Sequence, residues 1–157
     1  MKSIFLYAFL ALIYFGTSQL WSQSKEEIEV KKTVVELFDA MRAGDSARAS
    51  VLFHPNVRMF TSYRDSKGIE VLEEGALSDF LVAVGSPHPE IWDEKIWDTD
   101  VRIDGSLAQV WTNYAFYAGD RFSHCGVDAF HLIRGRDGQW RIVNLIDTRK
   151  KEPCRKF

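Results

Sequence analysis

Apolar residues recur along this chain in a helical rhythm first and a strand rhythm afterwards. Val30, Val34, Leu37, Phe38 and Met41 recur at steps of three and four, the spacing of one buried helix face. Ser24 and Glu27 form a capping box ahead of them and Gly44 follows them, so a helix is predicted from Ser24 to about Arg42. Asp45 caps a second, shorter helix through Leu52. His54-Pro55-Asn56 reads as a turn before a strand at Val57–Ser62, and a loop at Arg64–Gly68 precedes an extended piece near Ile69–Leu72. Leu77, Phe80, Leu81 and Val84 return to helical spacing, which predicts a helix over Glu74–Val84, closed by Gly85. Strands follow at Ile91–Asp98 and Asp100–Ile103, then an Asp104-Gly105 hairpin turn and a strand at Leu107–Tyr117. Helices first and strands afterwards predict an α+β domain, with the helices packed on one face of a curved, mostly antiparallel sheet.

The stretch Trp111–Thr148 holds three strands and most of the candidate chemistry. Gly119-Asp120 suits a two-residue type II′ turn. That turn sets Phe122 opposite Tyr117, His124 opposite Ala115, Gly126 opposite Asn113 and Asp128 opposite Trp111, all on one face. A symmetric turn in Gly135–Gly138 adds Val143, Leu145 and Asp147 to the face of Asp128, Phe130 and Leu132, with Asp147 opposite Gly126. The predicted face is apolar and aromatic, and carries four polar groups: Asn113, His124, Asp128 and Asp147. Such a surface describes a small-molecule pocket. One β-bulge would reverse the parity, and Gly126 is a candidate for it. The opposite face carries Thr112, Tyr114, Phe116, Val127, Ala129, Ile133, Trp140, Ile142 and Ile146. It is too apolar for a wet face and predicts a twofold dimer through the sheet.

Composition narrows the partners. The chain has 157 residues, a net charge of −2 and 13% aromatic residues. This gives no electrostatic case for nucleic acid and fits one packed domain. Lys2, the apolar run Ile4–Phe15 and the small residues after it predict a signal peptide over residues 1–22. The remaining 23–157 form the single domain, periplasmic or secreted and without stable membrane insertion. Cys125 and Cys154 are the only cysteines. In an oxidising compartment they form the minimum pair. A tail that curls back would bond them; the alternative is a buried free Cys125.

Three segments, in order, resemble the nuclear transport factor 2-like superfamily, which includes ketosteroid isomerases, scytalone dehydratases and polyketide cyclases. They are Phe38-Asp39-Ala40-Met41-Arg42-Ala43-Gly44-Asp45, Leu52-Phe53-His54-Pro55-Asn56-Val57 and Asp137-Gly138-Gln139-Trp140-Arg141-Ile142-Val143. Phe122–Phe130 together with Asp147-Thr148-Arg149 is most similar to the bacterial subgroup described as putative lumazine-binding. The resemblance implies a cone-shaped fold with its pocket between helices and sheet, and a dimer. It sets Asp128 where ketosteroid isomerases carry the neutral aspartate of their oxyanion hole. Their tyrosine and general base would fall near Leu37 and Thr61, so the parts of a steroid isomerase are not assembled.

His124 and Asp128 are the catalytic pair of an acid–base reading, about 13 Å apart along one strand. Gly126 leaves a notch between them. Asp147 lies diagonal to both, or pairs with Arg149 instead. Trp111, Asn113 and Phe130 line the pocket and Tyr63 reaches its mouth; Asn113 is either a ligand contact or a buried amide bonded to backbone. A metal site from His124, Asp128 and Asp147 is disfavoured by the spacing, and no P-loop, dinucleotide or Ser-His-Asp pattern calls for a cofactor. The reading is an exported protein binding a small apolar or aromatic molecule. The alternatives are an acid–base enzyme of the cyclase, dehydratase or isomerase type, and a structural dimeric module.

Overall fold

The capping box forms as its residues dictate: Glu27 N–H donates to Ser24 Oγ (3.1 Å) and Ser24 N–H to the Glu27 carboxylate (2.7 Å). The computed structural model describes residues 24–155 and Phe157; the predicted leader over residues 1–22 lies outside them. The first helix, α1, spans Lys25–Ala43 and ends at Gly44 with φ 65, a left-handed cap that glycine adopts without strain. Asp45 caps α2 (Ser46–Ser50), and α3 spans Leu77–Gly85. The strands are β1 (Phe53–Arg64), β2 (Glu70–Gly75), β3 (Trp92–Asp104), β4 (Leu107–Ala118), β5 (Arg121–Arg134) and β6 (Trp140–Arg149). They form one six-stranded sheet in the order β2-β1-β6-β5-β4-β3. Every pairing is antiparallel except β1 with β6.

Local chemistry moved several boundaries. His54-Pro55-Asn56, predicted as a turn, lies inside β1 at an irregularity between Phe53 and Arg58, a place where a strand tolerates proline. Glu74 and Gly75, predicted as helix, end β2 opposite Phe60 and Met59. The two strands predicted around Asp98 are one strand, with a break in pairing between Trp97 and Asp100 and φ 52 at Asp98.

The core lies between the helices and the sheet. Val30, Val34, Leu37 and Phe38 of α1 join Val110, Phe130, Leu132 and Ile142 of the strands in one buried cluster. Phe38 meets Phe130 edge-to-face at 6.2 Å. Each such side chain, once fully buried, contributes about 1.5–3 kcal/mol. Arg42, paired with Asp93 at 2.8 Å, and Arg134, paired with Glu26 at 2.6 Å, tie the two ends of α1 to β3 and β5.

Small irregularities decide which side chains reach this core. The β4–β5 hairpin starts in the predicted register, with Tyr117 opposite Phe122, and then slips by one so that Phe116 faces His124. Ser123 is the extra residue. Past it, Gly126 faces Tyr114 and Asp128 faces Thr112. The predicted partners Asn113 and Trp111 therefore point to the other side of the sheet, because successive side chains alternate. The bulge lies at Ser123, not at Gly126. On β6 two slips occur. The turn holds one residue more than a symmetric loop, so Arg134 faces Trp140, and a second shift follows between His131 and Leu132. Together they move Asp147 by two residues to face Asp128, with its side chain still inward. Val143 falls in the slip, and Ile142 takes its place in the core.

These slips also redraw the outer face. Thr112, Tyr114, Trp140 and Ile142, predicted there, are buried, and Phe116 packs against the inner core. Ile146 and Ala129 stay outside as predicted, and Trp111 joins them as the next cross-strand partner, with Ile146 37% and Trp111 50% exposed. No helix among the described residues is long and apolar enough to cross a membrane.

Gly126 does not leave a notch. A Cβ there would lie 1.8 Å from the Thr148 carbonyl oxygen, so the backbone of β6 fills the space, and no side chain fits. Next to it, Cys125 and Lys150 exchange backbone hydrogen bonds of 2.9 Å, and Cys125 is disulfide-bonded to Cys154 with Cα atoms 6.0 Å apart. Beyond the bond, Phe157 N–H donates to Tyr117 OH (3.1 Å) and its ring meets Trp97 at 5.2 Å. With its cysteines 29 positions apart in the sequence, the bond should restrict the unfolded chain by about 3–4 kcal/mol. Cys154→Ser should lose stability of that order in denaturant unfolding; an unchanged midpoint would show that the tail adds nothing to the fold.

Candidate functional site

The inward face of the sheet and the helices line a cavity of about 500 Å³. Its walls are largely apolar: Phe38 and Met41 from α1, Phe80 from α3, and Trp92, Phe116 and Phe130 from the sheet. Trp92 meets Phe116 edge-on at 5.9 Å and stacks under His88, ring centres 3.9 Å apart. A wider cleft of about 730 Å³ adjoins the cavity. The two share Thr61, Glu73, Gly75, His124 and Arg149, so these residues form the passage between them.

Alternation along each strand delivers the polar groups. On β3, Glu94 lies between Trp92 and Ile96, both turned towards the core. It pairs with Phe116 of β4, which in turn faces His124. Glu94 as a whole is half-buried, yet its carboxyl is enclosed by protein and shares a hydrogen bond with Asp128. Asp128 is 4% exposed. Burial first, then the negative charge of Glu94, push the Asp128 carboxyl well above the usual range. Burial also raises Glu94, to about 7. Two carboxyls that meet inside a protein cannot both ionise cheaply. The pair therefore keeps a proton, with Asp128 the donor and Glu94 the acceptor. No N–H or O–H group among the described residues is directed at Asp128 Oδ2.

A second polar group sits beside the pair. Asp147 accepts from Thr61 Oγ1 (2.5 Å), Tyr114 OH (3.2 Å) and Arg149 Nε (2.8 Å). Tyr114 also donates to the Thr148 carbonyl at 2.9 Å, the oxygen that rests against Gly126. Burial and the charge of Asp147 raise the Tyr114 phenol far above its ordinary value, so it stays a donor. His124 stands at the passage, its ring 5.2 Å from Phe116 and 5.7 Å from Tyr114. Ser123 Oγ lies 2.9 Å from its Nδ1. Burial and then the positive charge of Arg149 lower the imidazole to about 4, which leaves it neutral.

Of the residues predicted for the pocket, His124, Asp128, Phe130 and Asp147 line the cavity, and Tyr63 lines the adjoining cleft, its OH 3.4 Å from Glu73. Trp111 and Asn113 do not join them: the extra residue at Ser123 turns both to the outer face. Asp147 pairs with Arg149 and faces Asp128 directly instead of lying diagonal to it. Glu94 and Tyr114 were not anticipated in the site. The signal for Glu94 was present, since Trp92, Glu94 and Ile96 alternate onto one face. Tyr114 was hidden by the parity change. Among the described residues, no group of three or more His, Cys, Asp and Glu side chains is arranged to hold a metal ion.

Residues 25–146 match the model of the family described as putative lumazine-binding. A nuclear transport factor 2-like protein of unknown function from Shewanella baltica is 16% identical, with a TM-score of 0.62 over 83% of this chain and 98% of that one. A putative dehydratase of the same fold family from Streptomyces avermitilis is also 16% identical, with a TM-score of 0.58 over 78% and 94%. The beta subunit of a putative aromatic-ring-hydroxylating dioxygenase from Novosphingobium aromaticivorans is 11% identical, with a TM-score of 0.66 over 83% and 92%. At these identities the likeness is one of fold. No curated protein sequence matches the chain.

The carboxyl pair makes stability depend on pH in a known direction. Glu94 rises from 4.5 to about 7 on folding, so the folded chain holds a proton that the unfolded chain releases between those values. Its contribution is present below 4.5 and lost as pH rises through 7. His124, lowered from 6.5 to about 4, acts in the opposite sense, and its contribution is lost as pH falls between those values. Glu94→Gln removes only the first effect. Its melting temperature relative to the natural chain should therefore be higher above pH 7 than below pH 4.5. A difference that does not change with pH would mean that Glu94 is solvated.

Proposed function

We propose that this chain, which belongs to the putative lumazine-binding family and has the nuclear transport factor 2-like fold, is an exported protein that holds a small apolar or aromatic molecule. The observation that carries the reading is the Glu94–Asp128 pair in the wall of an otherwise largely apolar cavity. A buried polar atom without a partner costs about 1–3 kcal/mol. A ligand that hydrogen-bonds to the pair would remove that cost, while Phe116, Phe130 and Trp92 would pack against its body. The disulfide supports export, since such bonds persist in oxidising compartments, and the leader pattern of residues 1–22 points the same way. The apolar row Trp111, Ala129 and Ile146 supports a twofold dimer through the outer face of the sheet. Light scattering at micromolar concentration should then give twice the chain mass.

A specific observation also favours the acid–base reading. A carboxyl held at about 7, as Glu94 is, is poised to take and return a proton near neutral pH, and Asp128 beside it is the matching acid. The histidine of that reading, His124, lies at the passage and is neutral, so it can relay a proton or anchor a ligand.

Native mass spectrometry of protein purified from its own host tests the binding reading: a non-covalent mass should be retained. Asp128→Asn keeps both a donor for Glu94 and an acceptor for the ligand, so it should retain that mass. Asp128→Ala should weaken binding by about 1–3 kcal/mol. A protein that carries nothing from its host, with a tryptophan fluorescence that no aromatic compound quenches, would leave only the structural module. If Glu94→Gln binds the recovered molecule normally but fails to convert it, the enzyme reading replaces the binding one.

A further inference from the structure

The two ends of the cavity present opposite chemistry. At the buried end, the Glu94 and Asp128 carboxyls hydrogen-bond to each other. The proton they share is spent inside the pair. Apart from the contact between them, neither carboxyl receives an N–H or O–H from the described residues. A ligand group that only accepts, such as an ether oxygen, would meet them lone pair to lone pair. A ligand O–H or N–H would satisfy them.

At the mouth the balance reverses. The cleft is lined by Arg64, Arg149, Lys150 and Lys151 against Asp65 and Glu73, in a chain whose net charge is −2. Arg64 is held by Glu70 at 2.6 Å and Arg149 by Asp147 at 2.8 Å. Lys150 and Lys151 have no ion-pair partner among the described residues. They do not sit on a loose tail. The Lys150 backbone is bonded to Cys125 in both directions, and the Cys125–Cys154 disulfide closes the segment behind it. The backbone thus keeps two cations without an ion-pair partner among the described residues at the rim, beyond the neutral His124.

We propose, building on the small-molecule reading above, that the ligand is two-ended: an O–H or N–H donor against Glu94 and Asp128, an aromatic or apolar body in the cavity, and a carboxylate or similar anion facing Lys150 and Lys151. A cavity of about 500 Å³ with its adjoining cleft is of the size that encloses such a molecule.

Four probes separate the ends of the ligand: 3-(4-hydroxyphenyl)propionate, its 4-methoxy analogue, its neutral amide, and 2-naphthol. Each is titrated into the mature chain by calorimetry, together with the doubly substituted Lys150→Gln, Lys151→Gln variant. The hydroxy acid should bind tightest. Loss of the donor in the methoxy acid should weaken binding about tenfold, and loss of the anion in the amide should weaken it about fivefold at low salt. The double variant should weaken the acid by the same factor and leave the amide unchanged. If the methoxy acid or the amide matches the hydroxy acid, or the double variant binds the acid as before, the two-ended ligand is overturned while the cavity reading stands. If 2-naphthol and all three other probes fail to bind, both fall together.

Discussion

One extra residue, Ser123, decides what this molecule can hold. A bulge changes the alternation of every side chain beyond it. Here it brings His124 opposite Phe116 and Asp128 opposite Thr112. Without it, Trp111 and Asn113 would face the helices and Tyr114 would face outward. Tyr114 is the residue that bonds both Asp147 and the Thr148 carbonyl, so the polar group beside the carboxyl pair depends on the same slip. The second strand pair carries its own adjustment. Two slips of one residue leave Asp147 facing inward and set it directly opposite Asp128.

These slips mark where sequence reading succeeds and where it stops. Helix α1 was legible because local rules agree: a capping box, a helical stripe and a terminal glycine all select the same segment. The inward position of Asp128 and Phe130 was legible from the alternation within β5 alone. The partners across the strand were not, because register is a relation between two segments and one bulge reverses it. Trp111 was misplaced for that reason, and Tyr114 was missed for it. Glu94 is a different case. An acid between Trp92 and Ile96 reads as a surface residue until the strand is known to be covered by α1. Its meaning comes from Asp128, more than thirty positions away in the chain, which only the folded sheet brings to it.

The inside of the cavity is organised by charge as much as by shape. Of the six acidic residues that line it, Glu94, Asp128 and Asp147 come within electrostatic reach of one another. Like charges so close would expel one another into water or take up protons. The fold separates their roles: Asp147 is surrounded by the donors Thr61, Tyr114 and Arg149, while Glu94 and Asp128 have each other and a proton. Arg149 serves two neighbours, since it pairs with Asp147 and also disfavours the charged form of His124.

The disulfide also sets the path of mechanical load. A pull on the chain beyond Cys154 passes through the sulfurs to Cys125 and enters the sheet at β5, an interior strand. Residues 126–153 are bypassed by that covalent shortcut, so β6 is not peeled from its neighbours when the C-terminus is dragged. Tension would instead reach β5, a strand bonded to β4 on one side and to β6 on the other. The lysines at the rim and the carboxylates behind them would keep their places while the end of the chain was under strain.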